Sequence, residues 1–221
     1  MGTSSRRTAP DRMKDKMKKI EYTPDNDMKM SDFKDLLGTL FYPNGRESIS
    51  SKSIIKSCTS TNFIKTLKKL IHTSENYGNH GTSAFGINFF DNFSFLEQVD
   101  LLSDFLVEDE DPVLKQSIKD ILMANGIDKT FSNLNETIKG MIKTLLERHT
   151  SGILLDSFYE SNEAFSSENY YKKIDIIFDN VADIIMSQSS LEKLVVNIND
   201  GQFVGNWLQE TVRMFLKGVA R

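Results

Sequence analysis

Few residues in this chain combine a type and a spacing that chemistry can use. The clearest is Gly2. Glycine after Met1 is small enough for the initiator methionine to be removed, which leaves a free α-amine on Gly2. An unhindered α-amine has a pKa of about 7.7–8.0, so a sizeable neutral fraction exists near neutral pH and can act as a nucleophile. Thr3, Ser4 and Ser5 follow; they are small, polar and able to lie extended in another protein's cleft. N-myristoylation does not fit, because the pattern needs Ser or Thr at the sixth position and Arg6 stands there. An ordinary frayed start fits the same residues, so the opening alone does not choose between the two.

The remaining reactive side chains are not arranged in pairs or triads. His72, His80 and His149 are scattered, with no H-x-x-x-H pair, and Cys58 has no histidine near it in sequence and reads as a core residue. The acidic run Glu108-Asp109-Glu110-Asp111 lacks the spacing and glycine of an EF-hand; it reads as a surface linker whose charge complements the start of the next helix. Asp156 sits in an apolar segment, where a rim position or a helix cap explains it. The glycine-rich stretch Asn76 to Thr82 lacks the lysine and spacing of a phosphate-binding loop and reads as a loop between helices. No catalytic residue, metal site or cofactor is expected, and the chain reads as a non-enzyme. Lys56, Lys65, Lys68 and Lys69 form the one basic cluster of the body, read either as a solvated helix face or as a phosphate-contacting surface.

The background of these residues is that of a globular protein. The 221 residues carry a net charge of −4, with 39% hydrophobic and 26% charged residues, which argues against a general nucleic-acid binder. A single cysteine excludes an intramolecular disulfide and, with no signal-peptide core, leads to the expectation of a cytoplasmic protein. No run of about 18 apolar residues is present, so no membrane span is expected. Fifteen phenylalanines against the single Trp207 suggest aromatic packing between helices.

The elements that must position any site are helical. Residues 1–30 read as a flexible amino-terminal tail, and residues 31–221 as one all-α, multi-helix domain. Within the tail, Asp11 to Ile20 puts Met13, Met17 and Ile20 at helical spacing among charges, and reads as a solvated linker or a short basic helix. The most readable stretch runs from Asp111 to Glu147. Asp111 caps, Pro112 suits a first turn, and Leu114, Ile118, Ile121 and Leu122 line one face up to Asn125-Gly126. A second helix starts near Ser132-Asn133 and carries Leu134, Ile138, Met141, Ile142, Leu145 and Leu146. Neither helix can bury its stripe alone, so the pair is expected at the centre of the core. Further helices are expected from Ser31 to Leu40 with Ser31 as cap, through Ile54-Ile55, across Phe63 to Ile71, from Leu96 to Leu106, from Tyr170 to Met186 and from Val204 to Val219. Gly152 predicts a kink or a new helix, and Leu191 to Ile198 is ambiguous because Val195, Val196 and Ile198 favour strands.

The opening Met1-Gly2-Thr3-Ser4-Ser5 resembles that of the QatB family of the bacterial Qat antiphage defence system. The resemblance extends through Phe63-Ile64-Lys65 to Gly78-Asn79-His80-Gly81 and Ala84, through Asp111 to Leu155, and over Gly201 to Val219. After Ser5 the chain departs from the glycine- and proline-rich continuation of many members, with Arg6-Arg7-Thr8-Ala9-Pro10 instead. The resemblance implies a partner-dependent, non-enzymatic adaptor. Such systems also encode an ATPase, an enzyme similar to the deazaguanine synthase QueC, and a TatD-like nuclease. A QueC-like enzyme activates a carboxylated deazaguanine with ATP for attack by ammonia. The Gly2 amine would be an alternative acceptor, with Gly2, Thr3, Ser4 and Ser5 recognised by that partner. Two other readings stay open: a purely structural subunit docking on the ATPase, and a nucleic-acid sensor using Lys56, Lys65, Lys68 and Lys69.

The net charge generates a first prediction. The isolated protein is expected to show no useful DNA binding at physiological salt in a fluorescence-anisotropy titration. Tight binding that falls steeply with salt would instead mark the lysine cluster as a phosphate surface.

Overall fold

Pro112 and Gly126 bracket a helix as their backbone chemistry demands. Asp111 Oδ1 accepts the Leu114 amide at 2.9 Å, Pro112 fills the first turn, and Gly126 takes a φ of +76° that a side chain would resist. A computed structural model describes residues 9–21, 23, 27, 29–80, 93–107, 111–159, 168–188 and 191–220. Among these the chain is all-α, with eleven helices and no strand. They are α1 (Ala9–Glu21), α2 (Met30–Phe41), α3 (Ile49–Cys58), α4 (Thr61–His80), α5 (Phe95–Leu106), α6 (Pro112–Asn125), α7 (Ile127–Ser132), α8 (Leu134–Tyr159), α9 (Glu168–Gln188), α10 (Leu191–Val196) and α11 (Gly201–Val219). A 3-10 turn at Pro43–Gly45 joins α2 to α3, where the sequence carries a Pro-Asn-Gly turn signal.

The expected central pair is present as α6 against α8. Leu114, Ile118, Ile121 and Leu122 are buried on one side, and Ile138, Met141, Ile142, Leu145 and Leu146 on the other. Around it, α5 lies against α6 through Lys119–Asp100 (2.5 Å) and Lys115–Asp104 pairs, and α9 covers α8. The last helix, α11, packs on α2, α3, α4 and α9 with Val204, Leu208, Val212, Phe215, Leu216 and Val219 all buried.

Several local expectations are corrected. Of the two readings of Asp11 to Ile20, the short helix is the one present: residues 9–21 form α1, and Met17 and Ile20 are each only 2% exposed, with α1 packed against α2. The charged residues around these two hide a narrow apolar stripe that has value only once α2 is there to cover it. Ser31 does not cap α2, which starts at Met30 with Lys29 as its capping position. The glycine-rich Asn76-to-Thr82 stretch is not a loop as far as His80, because α4 continues through it. Single glycines cost a helix only about 1 kcal/mol each, which the long buried face of α4 outweighs. For the same reason α8 runs unbroken past Gly152. Ser132 ends the short α7, and Asn133 Oδ1 accepts the Glu136 amide at 3.4 Å to start α8. Leu191–Val196 is helix, with Leu191 and Leu194 buried and Val196 turned out, so tertiary packing overrides the β propensity of the valines. The acidic residues 108–110 lie outside the described residues.

Leu145 is 3% exposed and Ile121 5% exposed. Leu145→Ala and Ile121→Ala are each expected to destabilise the fold by about 2–5 kcal/mol in urea denaturation, the range for emptied core sites. Losses below about half a kcal/mol at both positions would place the core elsewhere.

Candidate functional site

The candidate modification site begins outside the described residues: Gly2, Thr3, Ser4 and Ser5 all precede Ala9. What the structure does place is the anchor behind them. Helix α1 is fastened to α2 by the burial of Met17 and Ile20 and by polar contacts from Lys16 and Lys19. Lys16 Nζ donates to the Asp35 carbonyl at 3.0 Å and pairs with Asp35 Oδ2 at 3.1 Å. Lys19 Nζ meets Asp32 Oδ1 at 2.7 Å, a bond that holds the Asp32 carboxyl below its ordinary range. Arg12 Nη1 donates to Asn44 Oδ1 at 3.2 Å, which ties the first turns of α1 to the Pro43–Gly45 turn. Exposed ion pairs of this kind contribute little each, so the two buried side chains carry the docking. The anchor sets a reach. Ala9 lies seven positions after Gly2, and an extended chain spans at most about 3.5 Å per residue, so the Gly2 amine stays within about 25 Å of the start of α1.

The four candidate lysines are only partly grouped. Lys65, Lys68 and Lys69 share one face of α4, as their spacing dictates, while Lys56 stands on α3. Lys56 and Lys65 are exposed, and Lys68 is half-buried. Lys69 joins α4 to α5, because its Nζ donates to the Phe105 carbonyl at 2.9 Å and lies 5.0 Å from the Phe105 ring centroid. Of the other reactive groups, Cys58 is buried at the end of α3, and burial pushes its thiol far above the reactive range. His72 is exposed and lies 3.4 Å from Glu75, and burial lowers the pKa of His149. The side chains of His80 and Asp156 lie outside the described residues. Among the described residues no three His, Cys, Asp or Glu side chains come together as a metal site, and no helix is long and apolar enough to cross a membrane.

The most unusual electrostatics lie on the seam between α8 and α9. Residues one helical turn apart on each helix face each other in antiparallel register. Lys139 meets Asp183 at 3.0 Å, and Lys143 meets Asp175 at 2.8 Å and Asp179 at 2.5 Å. Burial alone would lower the pKa of Lys143, but the two aspartates more than offset it and hold the ammonium charged. One turn on, Glu147 breaks the pattern, because it meets Asp175, a like charge. Lys143 approaches Glu147 Oε1 at 3.5 Å, an ion-pair distance, yet that oxygen is buried without a hydrogen-bond partner. Burial therefore dominates over the Lys143 attraction, and together with Asp175 it pushes the Glu147 carboxyl up to about 8. The spacing of Lys139, Lys143 and Glu147 and of Asp175, Asp179 and Asp183 is plain in the sequence; which helix would face which is not.

No protein-family model, curated protein or solved structure matches the chain.

Glu147 makes stability depend on pH. In the unfolded chain it loses its proton near 4.5, in the folded protein near 8. Its favourable contribution is therefore complete below 4.5 and is lost as pH rises to about 8. Glu147→Gln keeps the shape and removes the titration. Its stability relative to the parent is expected to grow between about pH 5 and about pH 8.5, reaching on the order of 5 kcal/mol in urea denaturation. A difference that does not move with pH would mean that Glu147 is ionised throughout.

Proposed function

We propose that this chain is a non-enzymatic component of a bacterial antiphage defence system, acting as adaptor and as substrate. Its amino-terminal glycine is modified by a QueC-like partner enzyme. The observation that carries the reading is the Met1-Gly2-Thr3-Ser4-Ser5 opening, with a nucleophilic amine followed by small residues and a family likeness over the body. Gly2 has no side chain to obstruct a narrow active site and can take backbone angles closed to other residues. In the step envisaged, the neutral Gly2 amine attacks the activated carboxyl carbon of the deazaguanine. An amide C–N bond forms, the activating group leaves with its bonding electrons, and the amine's extra proton passes to solvent. The docked α1 adds a spatial condition: the partner's active site has to come within about 25 Å of Ala9. The enzyme therefore binds the helical body beside α1 and α2 rather than capturing a free peptide at a distance. The reading places the protein in the cytoplasm, together with the ATPase and the TatD-like nuclease of the same system.

Co-expression with the QueC-like enzyme is expected to add the mass of one deazaguanine acyl group to the amino-terminal peptide. Gly2→Glu and Gly2→Leu are expected to abolish that addition and phage resistance while leaving the circular dichroism spectrum unchanged. An unmodified Gly2, or full resistance with Gly2→Glu, would leave the protein as a purely structural subunit.

A further inference from the structure

A cavity of about 370 Å³ opens where α1, α2 and the Pro43–Gly45 turn meet the carboxyl-terminal end of α11. Arg12, Lys16, Lys34, Asp35, Tyr42 and Asn44 are among its walls. Among the described residues the charges there do not balance. Lys16 and Asp35 neutralise each other at 3.1 Å. Arg12 and Lys34 remain, and among the described residues neither has a carboxylate partner. Two cations with no carboxylate partner among the described residues, at one small cavity, stand out in a chain whose net charge is −4.

The Arg12 guanidinium is also held in place. Asn44 Oδ1 takes one of its protons at 3.2 Å, which leaves the others of its planar fork for a ligand. Asn44 holds this post from a left-handed backbone, with φ at +57°, which asparagine tolerates better than most residues with a side chain. A guanidinium fork beside a lysine ammonium is the donor set that grips a phosphate, the fork by paired hydrogen bonds and the ammonium as a point charge. The volume is that of a small-ligand site rather than a polymer groove.

We infer that the cavity between α1, α2 and the Pro43–Gly45 turn binds a small phosphate-bearing ligand through Arg12 and Lys34. This site is independent of any chemistry at Gly2 and of the lysines of α4.

The test is calorimetric titration of the full chain with pyrophosphate at low salt, followed by amide NMR. One-to-one binding is expected, with shifts centred on Thr39, Asn44 and Gly45. Arg12→Gln and Lys34→Gln are each expected to weaken it about tenfold, as the loss of a charged hydrogen bond implies. Lys34→Arg, which keeps the charge, should retain binding, and Lys68→Gln, on the other basic face, should leave it unchanged. No saturable binding, or equal weakening by Lys68→Gln, would overturn the inference. A single-stranded oligonucleotide that binds more tightly than pyrophosphate would assign the phosphate to a polymer and overturn the small-ligand reading.

Discussion

The burial of one face of α11 holds the amino- and carboxyl-terminal halves of this protein together. Phe215 packs against Phe178 of α9 with ring centroids 5.5 Å apart, and Val204, Leu208, Val212 and Val219 are all shut away from solvent. Fully burying a side chain of this size stabilises by about 1.5–3 kcal/mol, so a stripe of these five outweighs any single surface ion pair. The approach is close. A Cβ on Gly218 would stand 2.7 Å from Val181 Cγ1, and one on Gly38 of α2 would stand 3.1 Å from the Ala220 carbonyl oxygen. Two glycines thus let the end of α11 sit against α9 and α2. Polar contacts then fix its rotation: Arg213 Nε donates to Glu47 Oε1 at 3.0 Å, and Asp200 caps the first turn.

Charge plays a different part in each region. On α1 the lysines do little beyond choosing which face meets α2, and the buried Met17 and Ile20 supply the grip. Between α8 and α9 the pairing favours this register, because sliding α9 by one turn would take either the aspartate from Lys139 or one of the two from Lys143. The same register forces Glu147 onto Asp175, so specificity in the seam comes with one unfavourable neighbour. A buried carboxyl can only tolerate that position by keeping its proton.

What could be read from the residues divides along physical lines. The α6 and α8 stripes, the Asp111-Pro112 start and the Gly126 stop are properties of neighbours in sequence, and all appear where the pattern puts them. The failures share a cause: a local preference gave way to distant packing. Asn76 to His80 and Gly152 look like breaks until the buried faces of α4 and α8 are seen to run past them. Val195 and Val196 look extended until Leu191 and Leu194 find the core. Met17 and Ile20 cannot be recognised as core residues without α2 opposite them. The site divides likewise. Gly2 is conspicuous from its position alone, whereas Arg12 and Lys34 lie 22 positions apart and line one cavity only when α1 folds back. Lys69 shows the reverse: grouped with other lysines by spacing, it is drawn aside by Phe105.

The placement of α11 has a consequence for how the chain is made. The surfaces of α2 and α3 that it covers belong to the first quarter of the sequence, and their cover is residues 201–219. On the ribosome those surfaces emerge early and have no native partner until synthesis is nearly finished. For that interval the side chains that α11 will cover face water or whatever else will bind them. A nascent chain of this topology therefore depends on holding chaperones, or on a provisional packing of its early helices that α11 later displaces.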